Sequence, residues 1–477
     1  MKERSPGERA RDFDEVSAGY TPEEAAREAS RCLQCKKPSC REGCPVEIDI
    51  PGFVKAIAEN DPAKAAATLK EKNNLPAVCG RVCPQEEQCE LKCVLSRSGQ
   101  PVAIGNLERY AADWEQAHPS SQPKTVSPIR YKGKIAVVGS GPAGLTCAGD
   151  LAAQGFDVTI FESLHDAGGV LRYGIPEFRL PELVLDNELH ALKDLGVKIE
   201  LNSLVGRTKT LDELFKEGFR AVFIGTGAGL PGFLNIPGEH LNNIYSANEF
   251  LVRVNLMSAS EFPRYDTPVA IGTHVAVIGG GNTAMDASRT AVRLGAKTVT
   301  LIYRRTEAEM PARRAEIHHA KEEGIQLAFL TSPVRFIGDN KDFLSGIECI
   351  RMELGAQDDS GRRRPQLVPG SNFVLSADMA IIAVGSNPNP LLPSLTRGLT
   401  TTKAGHIFIN DHYMTSIPGV FAGGDIVSGE TVIQAMGMGK RAARAIEEYL
   451  NDKQSAISSQ QNLDNSNIVI RLHNLQI

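Results

Sequence analysis

Apolar and polar positions change their period several times along the 477-residue chain, and the changes mark its parts. From about residue 10 to 125 the apolar residues recur at helical spacing with short breaks, and little in this stretch could form a sheet. Thr21-Pro-Glu-Glu-Ala-Ala-Arg-Glu-Ala29 predicts a capped helix, with Thr21 at the N-cap, Pro22 behind it and acids in the first turn. Ile50 to Leu69 predicts two short helices around Asp61-Pro62. Residues 116–131 are rich in Pro and Ser and predict a linker. The pattern then switches to short apolar runs. Ile135 to Val138 predicts a buried strand, Leu145 to Ala153 a helix, Asp157 to Phe161 a second strand and Ala221 to Gly227 a third that ends in a turn. The same strand–turn–helix order returns at His274 to Ala284, followed by a strand over Thr298 to Ile302. Residues 332–376 alternate apolar and polar around the charged turn Asp358 to Arg364, which predicts antiparallel strands on the second domain. Ala380 to Ser386 predicts a buried strand returning the chain to the first domain. Val420 to Asp425 predicts a strand ending on an acid, and Lys440 to Leu450 a last helix after the segment Gly429 to Gly439. The tail, Asn451 to Ile477, is rich in Ser, Gln and Asn and is expected to be disordered or loosely docked.

The glycines give the repeated unit its chemistry. In Gly139-Ser-Gly-Pro-Ala-Gly144 the first glycine permits a tight turn, Gly141 lets a pyrophosphate approach the backbone, and Gly144 lets helix and strand pack closely. The helix N-terminus then offers free N–H groups and a partial positive charge to phosphates. The second strand ends on Glu162, in the place where an acid accepts from a ribose 2′-hydroxyl. In the second copy Gly279 and Gly281 occupy the first two places and Ala284 the third, but its following strand ends on Tyr303-Arg304-Arg305, with Arg313 and Arg314 soon after. Arginines there favour a 2′-phosphate. The two copies are therefore read as sites for different dinucleotides, FAD in the first and NADP in the second. A plain solvated turn is the alternative for Arg304 and Arg305. The loop from Gly168 to Pro181, dense in Gly and Pro, is expected to lie over a cofactor.

Eight of the ten cysteines fall between Cys32 and Cys93, an arrangement that suggests metal or redox centres in a reducing compartment. The first group, Cys32, Cys35, Cys40 and Cys44-Pro45, is close to the ferredoxin run, whose fourth cysteine serves the other cluster. The second is Cys79, Cys83, Cys89 and Cys93. Eight soft thiolates suit two [4Fe–4S] clusters, with Cys32, Cys35 and Cys40 taking Cys93, and Cys44 joining Cys83, Cys89 and one more ligand. Structural zinc and disulfides are the rivals, and zinc beside a flavin-type domain would carry no electrons.

The formal charge of -5 gives no overall pull toward nucleic acid, and no apolar run is long enough to span a bilayer. The first residues lack the apolar core of a signal peptide, so a cytoplasmic location is expected.

In combination, Gly139 to Gly144, Gly279 to Asp286, Tyr303 to Arg305, Gly423-Gly-Asp425 and both cysteine groups resemble the small (β) subunit family of NADPH-dependent glutamate synthase. The resemblance runs from about residue 10 to 450. The same module recurs in NADH-dependent ferredoxin:NADP oxidoreductase, sulfide dehydrogenase and dihydropyrimidine dehydrogenase. It implies an α/β fold of two nested dinucleotide-binding domains of the flavin disulfide reductase type behind a helical iron–sulfur domain. The expected parts are 1–125 (two clusters), 131–255 and 386–450 (FAD), 256–385 (NADP) and 451–477 (polar tail). It implies FAD contacts from Gly139, Gly141, Pro142, Ala143, Gly144, Glu162, Gly169, Arg179, Gly424, Asp425, Thr431, Val432 and Gln434. NADP contacts are implied for Gly279, Gly280, Gly281, Asn282, Thr283, Arg304, Arg305 and Arg313. Some members replace one cluster cysteine by an oxygen ligand, and Glu108 stands in that place. Cys79 would then be spare, unless Glu108 is a surface acid paired with Arg109 or another neighbour.

The activity implied is electron transfer between NADPH, FAD and two [4Fe–4S] clusters, supplying a larger catalytic subunit or a ferredoxin-type or flavoprotein partner in an oligomeric assembly. No general acid or base is needed for hydride transfer. A disulfide reductase would need a cysteine pair beside the flavin, whereas Cys147 and Cys349 stand alone. A non-enzymatic assembly subunit would not need the intact glycines and cysteines.

Overall fold

The computed structural model describes residues 1–118, 132–358, 361–429 and 431–473, with side chains to 453. Apart from its first three positions, the expected linker lies outside the described residues. The first unit is helical: α1 (Pro22–Ala29), α2 (Ile50–Ala58), α3 (Pro62–Lys70), α4 (Pro76–Val82) and α5 (Ile104–Ala117). Thr21 and Glu24 close a reciprocal capping box at α1, and Asp49 and Asp61 cap α2 and α3. Each cap satisfies a backbone N–H that the first turn would otherwise leave without a partner.

The first sheet unit follows as β1 (Lys134–Val138), α6 (Pro142–Ala153), β2 (Asp157–Phe161), α7 (Glu182–Asp194), β3 (Lys198–Glu200), α8 (Leu211–Lys216) and β4 (Phe219–Ile224). The chain then crosses on β5 (Leu230–Pro231) and builds β6 (Ile244–Ser246), α9 (Ala247–Asn255), β7 (His274–Ile278), α10 (Asn282–Arg293), β8 (Thr298–Ile302), α11 (Arg314–Glu322) and β9 (Gln326–Ala328). An antiparallel layer comes next, of β10 (Thr331–Gly338), β11 (Leu344–Gln357), β12 (Arg363–Leu367) and β13 (Phe373–Ser376). The chain ends with β14 (Met379–Ile382), β15 (Ser386–Asn387), β16 (Val420–Ala422) and α12 (Val432–His473). Two parallel five-stranded sheets result, ordered β16-β4-β1-β2-β3 and β6-β14-β7-β8-β9, and the short pair β5–β15 joins them. Among the described residues no helix is long and apolar enough to cross a membrane.

Several local expectations need correction. β6 belongs to the second sheet, so the chain leaves the first one well before residue 255. Three residues are too few to show a period in the sequence. The strand after Met379 ends at Ile382 in the middle of the second sheet, and β15 makes the return. The loop from Gly168 to Pro181 contains one helical turn, Val170–Tyr173. The last helix begins at Val432, ahead of the expected Lys440, because Gly437 and Gly439 lie inside it as contact points. A Cβ at 437 would sit 2.8 Å from Pro45 O, and one at 439 would strike Ala143 O. The tail also continues this helix to His473, since no Gly or Pro interrupts 440–473 and its polar residues are only mildly poor helix formers.

The helical unit is not a bead on a linker. It shares one continuous apolar core with the first sheet: Leu69, Leu75, Val78 and Leu107 pack in the same cluster as Leu145, Leu189 and Met436. Polar ties reinforce it, from Asn74 Nδ2 to Asp150 Oδ1 (3.0 Å) and from Ala77 N to Glu188 Oε1 (2.8 Å). The N-terminal residues touch both sheet units: Arg9 reaches Glu322 and Glu323 at the end of α11 in the second, and Val16 N donates to Phe178 O, ahead of α7 in the first.

Candidate functional site

The two glycine turns face each other across a cleft of about 1180 Å³. At the first, Gly139 has φ +100°, and a Cβ there would lie 2.6 Å from Gly225 O, so only glycine fits. A Cβ on Gly144 would strike the Gly139 carbonyl, which makes this glycine a packing contact between α6 and β1. Gly141 differs from both. Its φ is -70°, and the nearest atom to a Cβ would be Gly225 O at 4.0 Å, so open space lies where a phosphate group would approach the start of α6. The second turn repeats the arrangement, with a Cβ at Gly279 meeting Ala383 O and one at Gly281 meeting nothing closer than 4.0 Å.

Glu162 stands at the end of β2, accepting from Ser140 N (2.8 Å) and Ser140 Oγ (2.6 Å), so its carboxylate is fixed against the first turn. Asp425 lines the cleft from the far side. The Tyr173 phenol between them is pushed up to about 12 by burial, with Asp425 and Glu162 adding to the effect. This half of the cleft is acidic. The other half carries Arg304, Arg305 and Arg362. Among the expected contacts, Pro142, Ala143, Gly169, Gly424, Thr431 and Val432 line the first half, and Gly280, Asn282 and Thr283 the second.

Four expected contacts are employed differently. Arg179 lines the cleft, but its Nη1 donates to both oxygens of Asp286 on α10 (2.8 and 2.7 Å), which ties the first unit to the second. Arg313 is turned away, donating to Arg81 O and to Gln85 Oε1 (3.0 Å) of the helical unit. Gln434 is a cap rather than a wall, for its Oε1 accepts from Thr431 N (3.0 Å) and Thr431 Oγ1 (2.7 Å) at the start of α12. Arg305 is buried at the cleft edge, with Nε donating to Arg363 O and Nη2 to Asp358 Oδ2, both at 2.8 Å. Each diversion depends on a partner distant in sequence, which no local pattern announces. Arg362 also lines the cleft, from a stretch that the sequence marks only as a charged turn.

All ten cysteines are free thiols. Cys147 and Cys349 are buried in separate apolar clusters and form no redox pair. The other eight fall into two neighbourhoods. Burial raises Cys32 and Cys40, the latter to about 11; Cys35 and Cys93 add to the effect at both, and Cys32 adds to it at Cys40. Burial raises Cys44 to about 12, where its neighbours are Glu108 and Cys79. A hydrogen bond with Cys79 and burial lift Cys83, with Glu108 and Cys89 close by. The first neighbourhood is half-exposed and the second buried. Among the described residues no three His, Cys, Asp or Glu side chains are gathered tightly enough for a single ion. A cubane needs a wider frame than the roughly 2.3 Å bonds of zinc allow, and thiolates are the soft ligands it takes.

Glu108 is not a surface acid. It is 5% exposed, and burial pushes it up to about 8, with Glu188 adding and the bond from Asn73 Nδ2 to its Oε1 (2.8 Å) opposing. Arg109 turns instead to Asp113 and Glu15. Cys79 Sγ lies 3.5 Å from Met436 Sδ and 3.8 Å from Asn73 Oδ1, so Asn73 touches both candidates for the last ligand place. Val82 and Pro84, which flank Cys83, line the cleft, placing the buried set on the side of the dinucleotide turns.

Comparison with known proteins follows this division. Residues 9–120 match the family of dihydropyrimidine dehydrogenase domain II with a 4Fe-4S cluster, and residues 133–439 match pyridine nucleotide-disulphide oxidoreductases. The glutamate synthase [NADPH] small chain of Azospirillum brasilense is 38% identical over 464 residues, covering 95% of both chains. That of Halomonas elongata is 37% identical over 450 residues, covering 93% of this chain and 94% of the other. Mycobacterium tuberculosis FprA in complex with NADPH superposes with a TM-score of 0.58 at 20% identity, over 70% of this chain and 89% of its own, a likeness of fold.

Proposed function

Because the chain belongs to the glutamate synthase small-chain family and is an NADPH-dependent iron–sulfur flavoprotein oxidoreductase of that type, we propose that it carries two [4Fe–4S] clusters and supplies electrons to a larger catalytic subunit. The observation that carries this reading is the grouping of the cysteines into a buried set beside the cleft and a half-exposed set beyond it. When bound, NADPH supplies hydride, FAD converts a two-electron input to single electrons, and the clusters pass those on.

The chain's own residues bind, orient and separate these groups. Gly141 and the start of α6 receive the FAD pyrophosphate, and Glu162 the ribose. Gly281 and the start of α10 receive the NADPH pyrophosphate, with Arg304 at its 2′-phosphate. Cys32, Cys35, Cys40 and Cys93 hold the outer cluster. Cys44, Cys83 and Cys89 hold the inner one, completed by Cys79 or Glu108. Substituting each of those two by alanine distinguishes them, because only loss of the ligand strips iron from the inner cluster.

Anaerobically purified protein is expected to contain one FAD and about eight iron per chain. Replacing Cys35 by serine should damage the outer cluster alone. That variant should still reduce an artificial dye from NADPH while losing coupled turnover with a glutamate synthase large subunit. A variant that keeps its flavin and normal coupled turnover would refute the relay, and stoichiometric zinc without iron would refute the clusters.

A further inference from the structure

We propose that Arg313 is a positioning residue for the NADPH pyrophosphate: its backbone N–H sets the amide of Asn282, and its guanidinium fixes that N–H against the segment that carries Cys83. This rests on the reading of the second glycine turn as the NADP site, and it moves Arg313 from the 2′-phosphate to the pyrophosphate of the nucleotide.

Asn282 is the first residue of α10 and lines the cleft at the second turn. Its Oδ1 accepts from Arg313 N at 3.0 Å. A backbone N–H can only donate, so the atom it meets must be the amide oxygen, and the orientation of the amide follows. The Nδ2 group keeps two N–H donors that meet no protein acceptor among the described residues. At a helix start these donors add to the free backbone N–H groups that an anion meets there. Arg313 in turn is held by the helical unit. Its Nη1 donates to Arg81 O (2.6 Å) and its Nη2 to Gln85 Oε1 (3.0 Å), so both ends of the guanidinium are occupied within the protein. The next residue adds a bond from Arg314 N to Glu86 Oε1 at 3.1 Å. Arg81 and Gln85 stand on either side of Cys83, and Gln85 Nε2 donates to Cys79 O at 3.1 Å. Glu15 and Asp113 pin the Arg81 side chain. One run of hydrogen bonds therefore leads from the inner cysteine segment through Arg313 to the amide at the nucleotide turn. Docking of the helical unit completes the pyrophosphate site.

The test is calorimetric binding of NADP+ to protein loaded with flavin and iron, beside steady-state dye reduction with NADPH and NADH. Arg313→Ala should weaken NADP+ about tenfold and raise the apparent KM for both reduced nucleotides by a similar factor, with kcat nearly unchanged. Arg313→Lys keeps the N–H and a charge that can reach one of the two acceptors, and should recover part of the loss. Asn282→Ala should reproduce the loss, and the double variant should be no worse than Asn282→Ala alone, because Arg313 acts through that amide. Asn282→Asp keeps an acceptor for Arg313 N but replaces the donors by a carboxylate, and should weaken both nucleotides further. This variant leaves the tie between the units in place, so it decides the matter even where Arg313→Ala does not fold. A loss confined to NADPH in Arg313→Ala, additive losses in the double variant, or wild-type binding of NADP+ by Asn282→Asp would overturn the proposal. Gly281→Val is the separate control, since a side chain there enters open space at the second turn. If it leaves NADP+ binding intact, the nucleotide reading of that turn fails; if it abolishes binding while Arg313→Ala changes nothing, only the role of Arg313 fails.

Discussion

Valine at position 141 should give a folded chain that carries no flavin and reduces neither dye nor partner. The backbone at Gly141 is extended, with φ -70° and ψ 178°, so a branched side chain is conformationally acceptable there. Nothing within the protein obstructs a Cβ except Gly225 O at the limit of contact. The added methyl groups would therefore fill the space in front of α6 and displace the pyrophosphate instead of the protein. Gly439→Ala provides the contrast. Its new methyl would press on Ala143 O, where α12 crosses α6, and overpacking of that kind costs about 1–3 kcal/mol. Flavin absorbance and thermal midpoint measured together separate the two outcomes. A Gly141→Val protein that retains stoichiometric FAD would show that the first turn does not approach the pyrophosphate.

The largest effect on stability is expected at Glu323. Its side chain is fully buried and accepts from Arg9 Nε (3.1 Å), Arg289 Nε (2.9 Å) and Arg293 Nη1 (2.7 Å). Phe178 lies under the last two guanidiniums, with ring centroid distances of 4.6 and 3.9 Å. Glu323→Gln leaves three buried arginines around a neutral amide. Breaking a buried ion pair from one side costs about 3–5 kcal/mol, so urea unfolding should shift by that order. The pH dependence gives the sign. Burial opposes ionisation, but Arg289 and Arg293 outweigh it and hold Glu323 down at about 2. A lowered folded-state pKa means the stabilisation is complete above the ordinary glutamate range and is lost as pH falls from there through about 2. Wild type and variant should therefore differ most above pH 5 and converge in acid. A constant difference between pH 6 and 3 would assign the loss to packing.

What the sequence revealed was what neighbours in sequence decide. The strand–glycine–helix units, the acid at 162 and the capped helix at Thr21 depend on contacts within a few tens of residues, and those patterns are visible as period and spacing. The neighbourhood of Cys93 with Cys32 and Cys40 is of the kind the ferredoxin run suggests through its spacing. The side chains whose partners were hidden depend on residues distant along the chain. Arg179 is committed to Asp286, Arg305 to Asp358 and Arg313 to Arg81 and Gln85. Gly437 and Gly439 looked like loop residues because their reason, close approach to Pro45 and Ala143, lies far away along the chain. The helical unit's shared core was hidden for the same cause: an apolar helix face shows that something covers it, not what.

The crossing at β5 and β15 also imposes an order of assembly during synthesis. Everything between these two strands is contiguous, so the second nucleotide unit has all its strands as soon as β14 has left the ribosome. The first sheet must wait, because Val420 to Ala422 pair with Val222 to Ile224 only after that whole insert has emerged. The inner thiolate cage waits longer still, since Met436, which packs on Cys79, comes last. A nascent chain thus completes its NADPH-binding half before it can close around flavin or shelter iron. Reactive metal and flavin are enclosed only once the protein that feeds them electrons is nearly whole.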